Sequence, residues 1–422
     1  MTHFLEDKTT VTKLTRRTIL AAAPAALAFG SPLLRTRPAR AAKEYGPGVS
    51  DNEIKIGNTG PYSGPASSYS AVPKSQVAFW RMINDQGGIS GRKINFISYD
   101  DSYTPPKTIE MVRKLVEQDN VLLVASPLGT PTNSAIWHYM NQKKVPQLFV
   151  ATGATKWDDP KGHPWTIGWQ PNYQSEGRIY ASYILKEKPD GKIGLLYQND
   201  DFGKDYLRGV TDGLGDKAAT MIAVKASYET TDPTVDSQII GMKAAGCNIF
   251  VNTGIPKFAA QAIKKAAGID WKPLHILSSI GNSVGATLKP AGFENCQGLI
   301  SDFYLKDPTD PKWKDDPGFK SWVAFMDKYL PAADKSDAGY VAGASLAAMT
   351  AQVLTQCGDE LTRENVMRQA ANLHDVKTPM LLPGIKANTS PTDFAPLKQV
   401  QMGRFGGERW ELFGPLLTGA IG

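Results

Sequence analysis

Short β-rich runs alternate with helix-length amphipathic runs between residues 53 and 278, and this alternation constrains the fold most strongly. Residues 121–125 form a near-continuous apolar run, which is typical of a strand in a parallel sheet covered on both faces. The alternation stops near residue 169 and then begins again. The pattern therefore predicts an α/β fold with two consecutive doubly wound units, for which 422 residues are sufficient.

The first 41 residues have the three regions of an export signal in order. Arg16 and Arg17 precede a mildly apolar, alanine-rich stretch, and residues 39–41 read Ala-Arg-Ala, a small-residue cleavage site. A twin arginine before such a stretch is similar to a twin-arginine signal. We therefore predict that residues 1–41 are a twin-arginine-type signal peptide and that the protein is periplasmic. The alternative is a cytoplasmic protein with a basic arm.

The basic charge of the chain belongs mostly to this segment. The whole chain carries a net charge of +6, but residues 42–422 contain 40 basic and 39 acidic residues. A body of net charge +1 gives no electrostatic reason to expect a nucleic-acid partner. No apolar run approaches the ~20 residues that span a bilayer, which excludes a polytopic membrane protein.

Motifs for metals, nucleotides and disulfides are weak. The four histidines after residue 41 are well separated, and neither a P-loop nor a G-x-G-x-x-G follows the first strand, so no metal or cofactor is expected. Three cysteines give no disulfide framework, although a Cys247–Cys296 bridge stays open.

Residues 281–285 fit the G-x-S-x-G pattern around Ser283, which opens a serine hydrolase as an alternative function. A nucleophile elbow also needs a downstream histidine, and only His374 follows. A cluster of Gly, Asn and Ser after a strand is usually a turn, so we predict that the protein is not an enzyme.

Two loops that follow predicted strands have residues suited to binding an anion. Residues 126–131 read Ser-Pro-Leu-Gly-Thr-Pro, where Thr130 can cap the next helix, and residues 151–155 form a second turn rich in small and hydroxyl side chains. Open α/β sheets bind ligands at such strand ends, so backbone amides, hydroxyls and a helix dipole could hold a carboxylate there. Ordinary turn chemistry is the alternative.

Five motifs occurring in order resemble the leucine/branched-chain amino-acid-binding proteins, type I solute-binding proteins of ABC transporters, over about residues 54–415. The motifs are residues 56–64 (IGNTGPYSG), 83–92 (INDQGGISGR), 99–101 (YDD), 201–203 (DFG) and 340–343 (YVAG).

The resemblance implies two Rossmann-like lobes joined by three crossovers, with the ligand enclosed between them by hinge closure. The crossovers are expected near residues 169–171, 279–281 and 383–390. Lobe 1 would comprise residues 52–169 and 281–385, and lobe 2 residues 170–280 and 386–422.

The resemblance also implies site residues. The first-lobe carboxylate contacts of the family fall on Gly129, Thr130, Gly153 and Thr155, and an aromatic that covers the ligand falls on Tyr69. Amino-acid-binding members hold the ligand ammonium with two tyrosines and a glutamate from the second lobe. Those positions fall on Phe202, Ile255 and Ile280.

An ammonium buried among three apolar side chains would lose its hydration without a charged partner. We therefore predict an aromatic or other apolar monocarboxylate as the ligand, delivered by a monomeric receptor to an ABC permease and its ATPase. The alternatives are an amino-acid receptor of the same class and a sensory ligand-binding protein.

Overall fold

Two sheets, one parallel and one mixed, form the centres of two lobes, and each packs against helices. The computed structural model describes residues 43–419, so the predicted signal peptide, residues 1–41, lies outside the described residues. The prediction of an α/β fold with two lobes is confirmed. Within residues 43–419, none of the helices combines the length and apolar character needed to cross a membrane.

The strands are numbered here in chain order. They are β1 Glu44–Tyr45, β2 Glu53–Gly60, β3 Lys93–Asp100, β4 Leu123–Ala125, β5 Gln147–Val150, β6 Thr166–Gly168, β7 Ile193–Gln198, β8 Ile222–Tyr228, β9 Ile249–Thr253, β10 Leu274–Leu277, β11 Ile300–Phe303, β12 Glu360–Leu361, β13 Gln399–Gly406 and β14 Arg409–Thr418.

The α-helices are numbered in the same way. They are α1 Ala71–Asp85, α2 Pro105–Glu117, α3 Thr130–Gln142, α4 Tyr173–Glu187, α5 Asp201–Leu214, α6 Ala218–Met221, α7 Asp236–Ala244, α8 Pro256–Gly268, α9 Lys289–Ala291, α10 Pro317–Tyr329, α11 Ala338–Cys357 and α12 Arg363–Ala370. Short helical turns at Ser67–Ser70, Thr155–Trp157 and Ser279–Gly281 lie beside the cleft between the lobes.

The sheet of the first lobe has five parallel strands in the order β3-β2-β4-β5-β6. Strands β4 and β5 are buried along their whole length, as the apolar sequence of residues 121–125 predicts for the first of them. Helix α1 packs against both α10 and α11 in this lobe. The carboxyl ends of its strands therefore meet at one edge, where ligand-binding loops are expected.

The sheet of the second lobe has seven strands in the order β14-β13-β11-β10-β9-β7-β8. The strands from β8 to β11 are parallel, and the hairpin β13–β14 adds two antiparallel strands at the edge.

The second crossover lies later in the chain than expected. Strand β11 pairs with β10 and β13, so residues 300–303 lie in the second sheet, and the chain returns to the first lobe only after Phe303. The expected crossover near 279–281 placed this strand in lobe 1. The reason for the difference is that a strand pattern does not state which sheet the strand joins, since pairing is non-local.

The three cysteines are all buried and free, so the Cys247–Cys296 bridge left open by the sequence is not formed. Cys296 instead lies within hydrogen-bonding distance of the Gly292 carbonyl, with 3.2 Å between Sγ and the oxygen. Burial raises the pKa of its thiol to about 12. Stability therefore comes from packing, as for other buried thiols that act as small apolar side chains.

Candidate functional site

A cavity of about 150 Å³ lies between the two lobes. The first lobe lines it with the turn after β2 and the loops after β4 and β5, and the second lobe with the loops after β7, β9 and β10. These are carboxyl ends of parallel strands, the expected ligand-binding edge of open α/β sheets.

Six of the eight predicted site residues line this cavity, and two do not. Those that do are Tyr69, Gly129, Thr130, Phe202, Ile255 and Ile280, and those that do not are Gly153 and Thr155. The structure therefore brings residues from both lobes together around one space. Their roles toward a ligand remain a prediction.

The first turn of α3 borders the cavity, and Gly129 rather than Thr130 is its N-cap. Gly129 has φ of +103°, and a Cβ atom there would lie 2.4 Å from the Tyr103 ring, so glycine is required. Thr130 is the first helical residue, and its side chain does not cap the helix as the sequence suggested. The N–H groups of this turn lack acceptors within the helix and carry its positive dipole end.

Thr152, which the sequence analysis did not single out, lies beside Thr130 in the cavity wall. The two hydroxyl oxygens are 2.5 Å apart, which joins the loops after β4 and β5. Both residues are almost fully buried. This end of the cavity thus combines hydroxyl groups with a helix N-terminus, a combination that suits an anion.

Gly153 and Thr155 connect the lobes instead of lining the cavity. A Cβ atom on Gly153 would lie 2.3 Å from the Pro171 carbonyl oxygen, and the Gly153 carbonyl accepts from the Tyr173 N–H at 2.8 Å. The Thr155 N–H donates to Oδ2 of Asp205, in the second lobe, at 2.7 Å. The loop after β5 therefore contacts both the first crossover and α5.

Aromatic side chains form much of the wall. Tyr69 donates from its hydroxyl to the Ile280 carbonyl at 3.3 Å, and Phe202 meets Tyr173 edge to face with ring centroids 5.1 Å apart. Burial raises the pKa of the Tyr69 and Tyr173 hydroxyls well above the usual range, so both phenols are neutral. Tyr103 and Trp169 also line the cavity and were not predicted.

The second-lobe wall also contains polar side chains, which the sequence analysis did not single out. Ser279, Asn282 and Asp302 line the cavity together with the three predicted apolar residues. Asp302 is fully buried on β11, and Tyr180 donates to its Oδ1. Burial raises the pKa of this carboxyl.

A second buried acid, Glu176, stands behind Asp302. Tyr206 and Ser279 donate to its carboxyl group. The oxygen of the Tyr180 hydroxyl, whose hydrogen is donated to Asp302, lies 3.1 Å from Oε2 of Glu176. Burial, followed by the nearby charge of Asp302, raises the pKa of Glu176. Two neighbouring buried acids cannot both ionise without strong repulsion, so the pair retains protons more readily than isolated carboxyls.

Ser283 is engaged in capping. Its hydroxyl accepts from the backbone N–H groups of Ala338 at 3.1 Å and Ala286 at 3.2 Å, and it lies 3.1 Å from Asp337 Oδ1. His374 is exposed and contacts Asn372. Among residues 43–419, no group of three or more His, Cys, Asp or Glu side chains is arranged to hold a metal ion.

Comparison of the sequence with known proteins identifies relatives that are binding proteins. Residues 53–404 match a family model described as periplasmic binding protein. The leucine-specific-binding protein of Salmonella typhimurium is 24% identical over 42% of this chain and 47% of its own length. A leucine-, isoleucine-, valine-, threonine-, and alanine-binding protein of Pseudomonas aeruginosa is 23% identical over 60% of this chain and 68% of its own length. The first of these alignments thus spans about half of the relative.

Solved structures agree over most of the chain. A branched chain amino acid ABC transporter from Thermus thermophilus with bound valine has a TM-score of 0.78 at 15% identity. The match covers 88% of this chain and 97% of that one. A fatty acid ABC transporter substrate-binding protein from Thermomonospora curvata has a TM-score of 0.75 at 20% identity, covering 89% and 95%. Because the family match spans most of the 422 residues and the two-lobed fold accords with it, the chain belongs to the periplasmic binding protein family, and the resemblance to its leucine/branched-chain amino-acid-binding members is confirmed.

Proposed function

We propose that this protein is a periplasmic substrate-binding protein that captures a small apolar monocarboxylate between its lobes and delivers it to an ABC permease and its ATPase. One observation carries the proposal. A single interlobe cavity combines a helix N-terminus and two hydroxyls on one lobe with apolar and aromatic side chains on the other.

The carboxylate is assigned to the end formed by the first turn of α3. N–H groups there are free of helical acceptors, and Gly129 lets the backbone approach a ligand closely. The hydroxyls of Thr130 and Thr152 bond to each other, which leaves one hydroxyl hydrogen of the pair to donate to a ligand. A negative charge at such a site is stabilised by the helix dipole without a cationic side chain.

The apolar body is assigned to the remaining wall, which includes Tyr69, Phe202, Ile255 and Ile280. A cavity of this volume is comparable to the engineered ~150 Å³ apolar cavity that binds benzene. An aromatic ring or a short aliphatic chain therefore fits. The names of the relatives permit this breadth, since they include binding proteins for leucine and for a fatty acid.

Closure is assigned to contacts between the lobes at the rim of the cavity. Besides the bonds of Tyr69 and Thr155, Lys156 forms an ion pair with Asp201 at 2.7 Å. A ligand that touches both lobes stabilises this closed arrangement relative to an open one, and the closed form is then the species that docks on the permease.

Isothermal titration calorimetry on the purified protein tests the ligand class. Benzoate and a short-chain fatty acid should bind, while leucine and valine should bind more weakly or not at all. Thr130→Val, which keeps the shape and removes the hydroxyl, should weaken binding of benzoate by roughly tenfold, about the value of a hydrogen bond to a charged group. Thr211→Val is the matched control, because the Thr211 hydroxyl donates to Leu207 outside the cavity. Tight binding of leucine or valine without binding of either acid would overturn the proposal.

The export route is a separate proposal that rests on Arg16 and Arg17. Replacing both arginines by lysine keeps the charge of the segment and removes the twin arginine. The variant should accumulate in the cytoplasm in cell fractionation, whereas Lys13→Arg should leave the distribution unchanged. Equal periplasmic amounts of wild type and the double variant would contradict a twin-arginine route.

A further inference from the structure

Two histidines that are 25 residues apart in the sequence face each other on the surface of the first lobe. His138 lies on α3, and His163 lies in the loop that connects β5 to β6. Nε2 of His163 is 3.4 Å from Nδ1 of His138. Neither residue lines the cavity between the lobes. The fold therefore pairs two imidazoles outside the site described above.

The loop that carries His163 is held against α3 by hydrogen bonds. The side-chain oxygen of Asn141 accepts from the Trp165 N–H at 2.9 Å, and its amide donates to the Thr166 hydroxyl at 2.9 Å. The His163 ring stacks on the Trp137 indole, with the ring centroids 3.6 Å apart and the planes 11° from parallel. These contacts fix both the position and the plane of the His163 imidazole.

Asp159 determines which ring nitrogen of His163 has a free lone pair. Its Oδ2 lies 2.8 Å from Nδ1 of His163, and its Oδ1 accepts from the Gly162 N–H at 2.9 Å. A carboxylate only accepts, so Nδ1 carries the proton and, in the neutral ring, Nε2 carries the lone pair. Nε2 is the nitrogen that faces His138. An imidazole that donates its other N–H to a carboxylate is the usual form of a metal-binding histidine.

The distance between the two facing nitrogens matches a tetrahedral metal ion. Two nitrogens bound to one tetrahedral zinc ion at about 2.0–2.1 Å lie about 3.3–3.4 Å apart. Adjacent ligands in a square plane at the same bond length would lie about 2.8–3.0 Å apart. The observed 3.4 Å is also long for a hydrogen bond between the rings, since N–H donors commonly lie about 2.7–3.2 Å from their acceptors.

We propose that His138 and His163 form a surface site for a divalent transition-metal ion, zinc above all, with water completing the tetrahedron. Imidazole nitrogen is a favoured zinc ligand. His138 is exposed and the His163 side chain keeps 15% of its exposure, so an ion and its water ligands can reach both rings. Two protein ligands suit a reversible site rather than the four-ligand zinc sites that hold a fold together.

The proposed zinc site adjoins the contact between the lobes. The Lys156 ammonium lies over the Trp137 ring, 4.8 Å from its centroid, and pairs with Asp201 of the second lobe at 2.7 Å. His163 stacks on the same indole. A bound ion joins α3 to the loop between β5 and β6, so zinc should raise the thermal midpoint of the protein by mass action.

Isothermal titration calorimetry with zinc chloride, on purified protein prepared without a histidine tag, tests the inference. His138→Ala and His163→Ala should each weaken zinc binding by at least about tenfold, because even the loss of a group behind a metal ligand commonly costs that much. His374→Ala is the matched control, since His374 is an exposed histidine whose ring contacts Asn372. It should keep the wild-type zinc affinity. Magnesium, which prefers oxygen ligands, should not compete with zinc.

Nitrogen NMR of histidine-labelled wild type tests the same site without any variant. Zinc should shift the signals of Nε2 of His163 and Nδ1 of His138, while Nδ1 of His163 stays protonated. Failure of the wild type to bind zinc, equal zinc affinity in the wild type and both alanine variants, or shifts confined to other histidines would each overturn the site. These outcomes do not depend on the carboxylate-binding function proposed above.

Discussion

The hydroxyl of Tyr69 on the first lobe donates a hydrogen bond to the backbone carbonyl of Ile280 on the second, 3.3 Å away across the cavity. Tyr69→Phe removes this bond and keeps the ring. We expect ligand affinity to fall by roughly three- to tenfold, because a neutral hydrogen bond contributes about 0.5–1.5 kcal/mol. Tyr62→Phe, whose hydroxyl contacts Ser98 within the first lobe, should bind as wild type in the same titration. Equal loss in both variants would remove the interlobe bond as the cause.

Asp205 joins the lobes by accepting the Thr155 N–H of the first lobe on one oxygen. Its other oxygen accepts from the Gln174 amide, which lies in the second lobe with Asp205. In Asp205→Ala the closed arrangement loses a buried, charge-assisted bond between lobes. Ligand dissociation measured by stopped flow should become about tenfold faster, with little change in the association rate. Asp212→Ala, which loses only the pairing with Arg178 inside the second lobe, should keep the wild-type dissociation rate.

Phe202 contributes apolar surface to the cavity and is almost fully buried. Phe202→Ala should weaken binding of an aromatic acid by more than about tenfold, since both buried area and ring contacts are lost. Ile239→Ala, a truncation in the second-lobe core outside the cavity, should lower thermal stability and leave affinity unchanged. An unaltered dissociation constant for Phe202→Ala would exclude its ring from the binding surface.

Gly153 has no room for a side chain between the loop after β5 and the first crossover. An added Cβ atom would lie 2.3 Å from the Pro171 carbonyl oxygen and 2.8 Å from the Tyr173 ring. Gly153→Ala should therefore lower the thermal midpoint by several degrees, as overpacking commonly costs about 1–3 kcal/mol. Gly241→Ala, where nothing lies within 4 Å of the new atom, should be neutral or stabilising. Identical melting curves for wild type and Gly153→Ala would contradict the close contact.

The buried side chain of His275 makes the free energy of unfolding depend on pH in the acid range. It packs against the Phe250 ring at 4.4 Å, and burial lowers its pKa to about 3, from 6.5. Between these two values the unfolded chain binds a proton that the folded protein does not, so stability is fully present above pH 6.5 and is lost as the pH falls toward 3. The loss is on the order of 4 kcal/mol. In urea titrations across this range, His275→Gln should show a shallower pH dependence than wild type; equal slopes would contradict a neutral buried imidazole.

Much of the fold was predictable because its helices and strands are locally encoded. The apolar run of residues 121–125 predicted a buried strand of a parallel sheet, and the structure has the fully buried strand Leu123–Ala125 there. The sheet that β11 joins was not predictable in this way. Its pairing depends on β10 and β13, and the latter lies almost a hundred residues further along the chain.

The site residues divide in the same way into those that local sequence predicts and those that depend on non-local contacts. Tyr69, Gly129 and Thr130 follow first-lobe strands whose ends meet at one edge, so the topology alone brings them to the cleft. Thr155 was misplaced because nothing in a small, polar turn indicates that its N–H will face Asp205 on the other lobe. Asp302 did leave a signal that was not used, since it is an acid within the otherwise weakly polar, fully buried strand Ile300–Phe303.

Trp169 follows β6 at the start of the first crossover and is also part of the cavity wall. One indole therefore lies both on the segment that is expected to bend and in the wall that is proposed to contact a ligand. Because the chain contains nine tryptophans, a variant that keeps Trp169 and replaces the other eight by phenylalanine would let the emission of this one indole follow occupancy and lobe rotation together, without an attached dye.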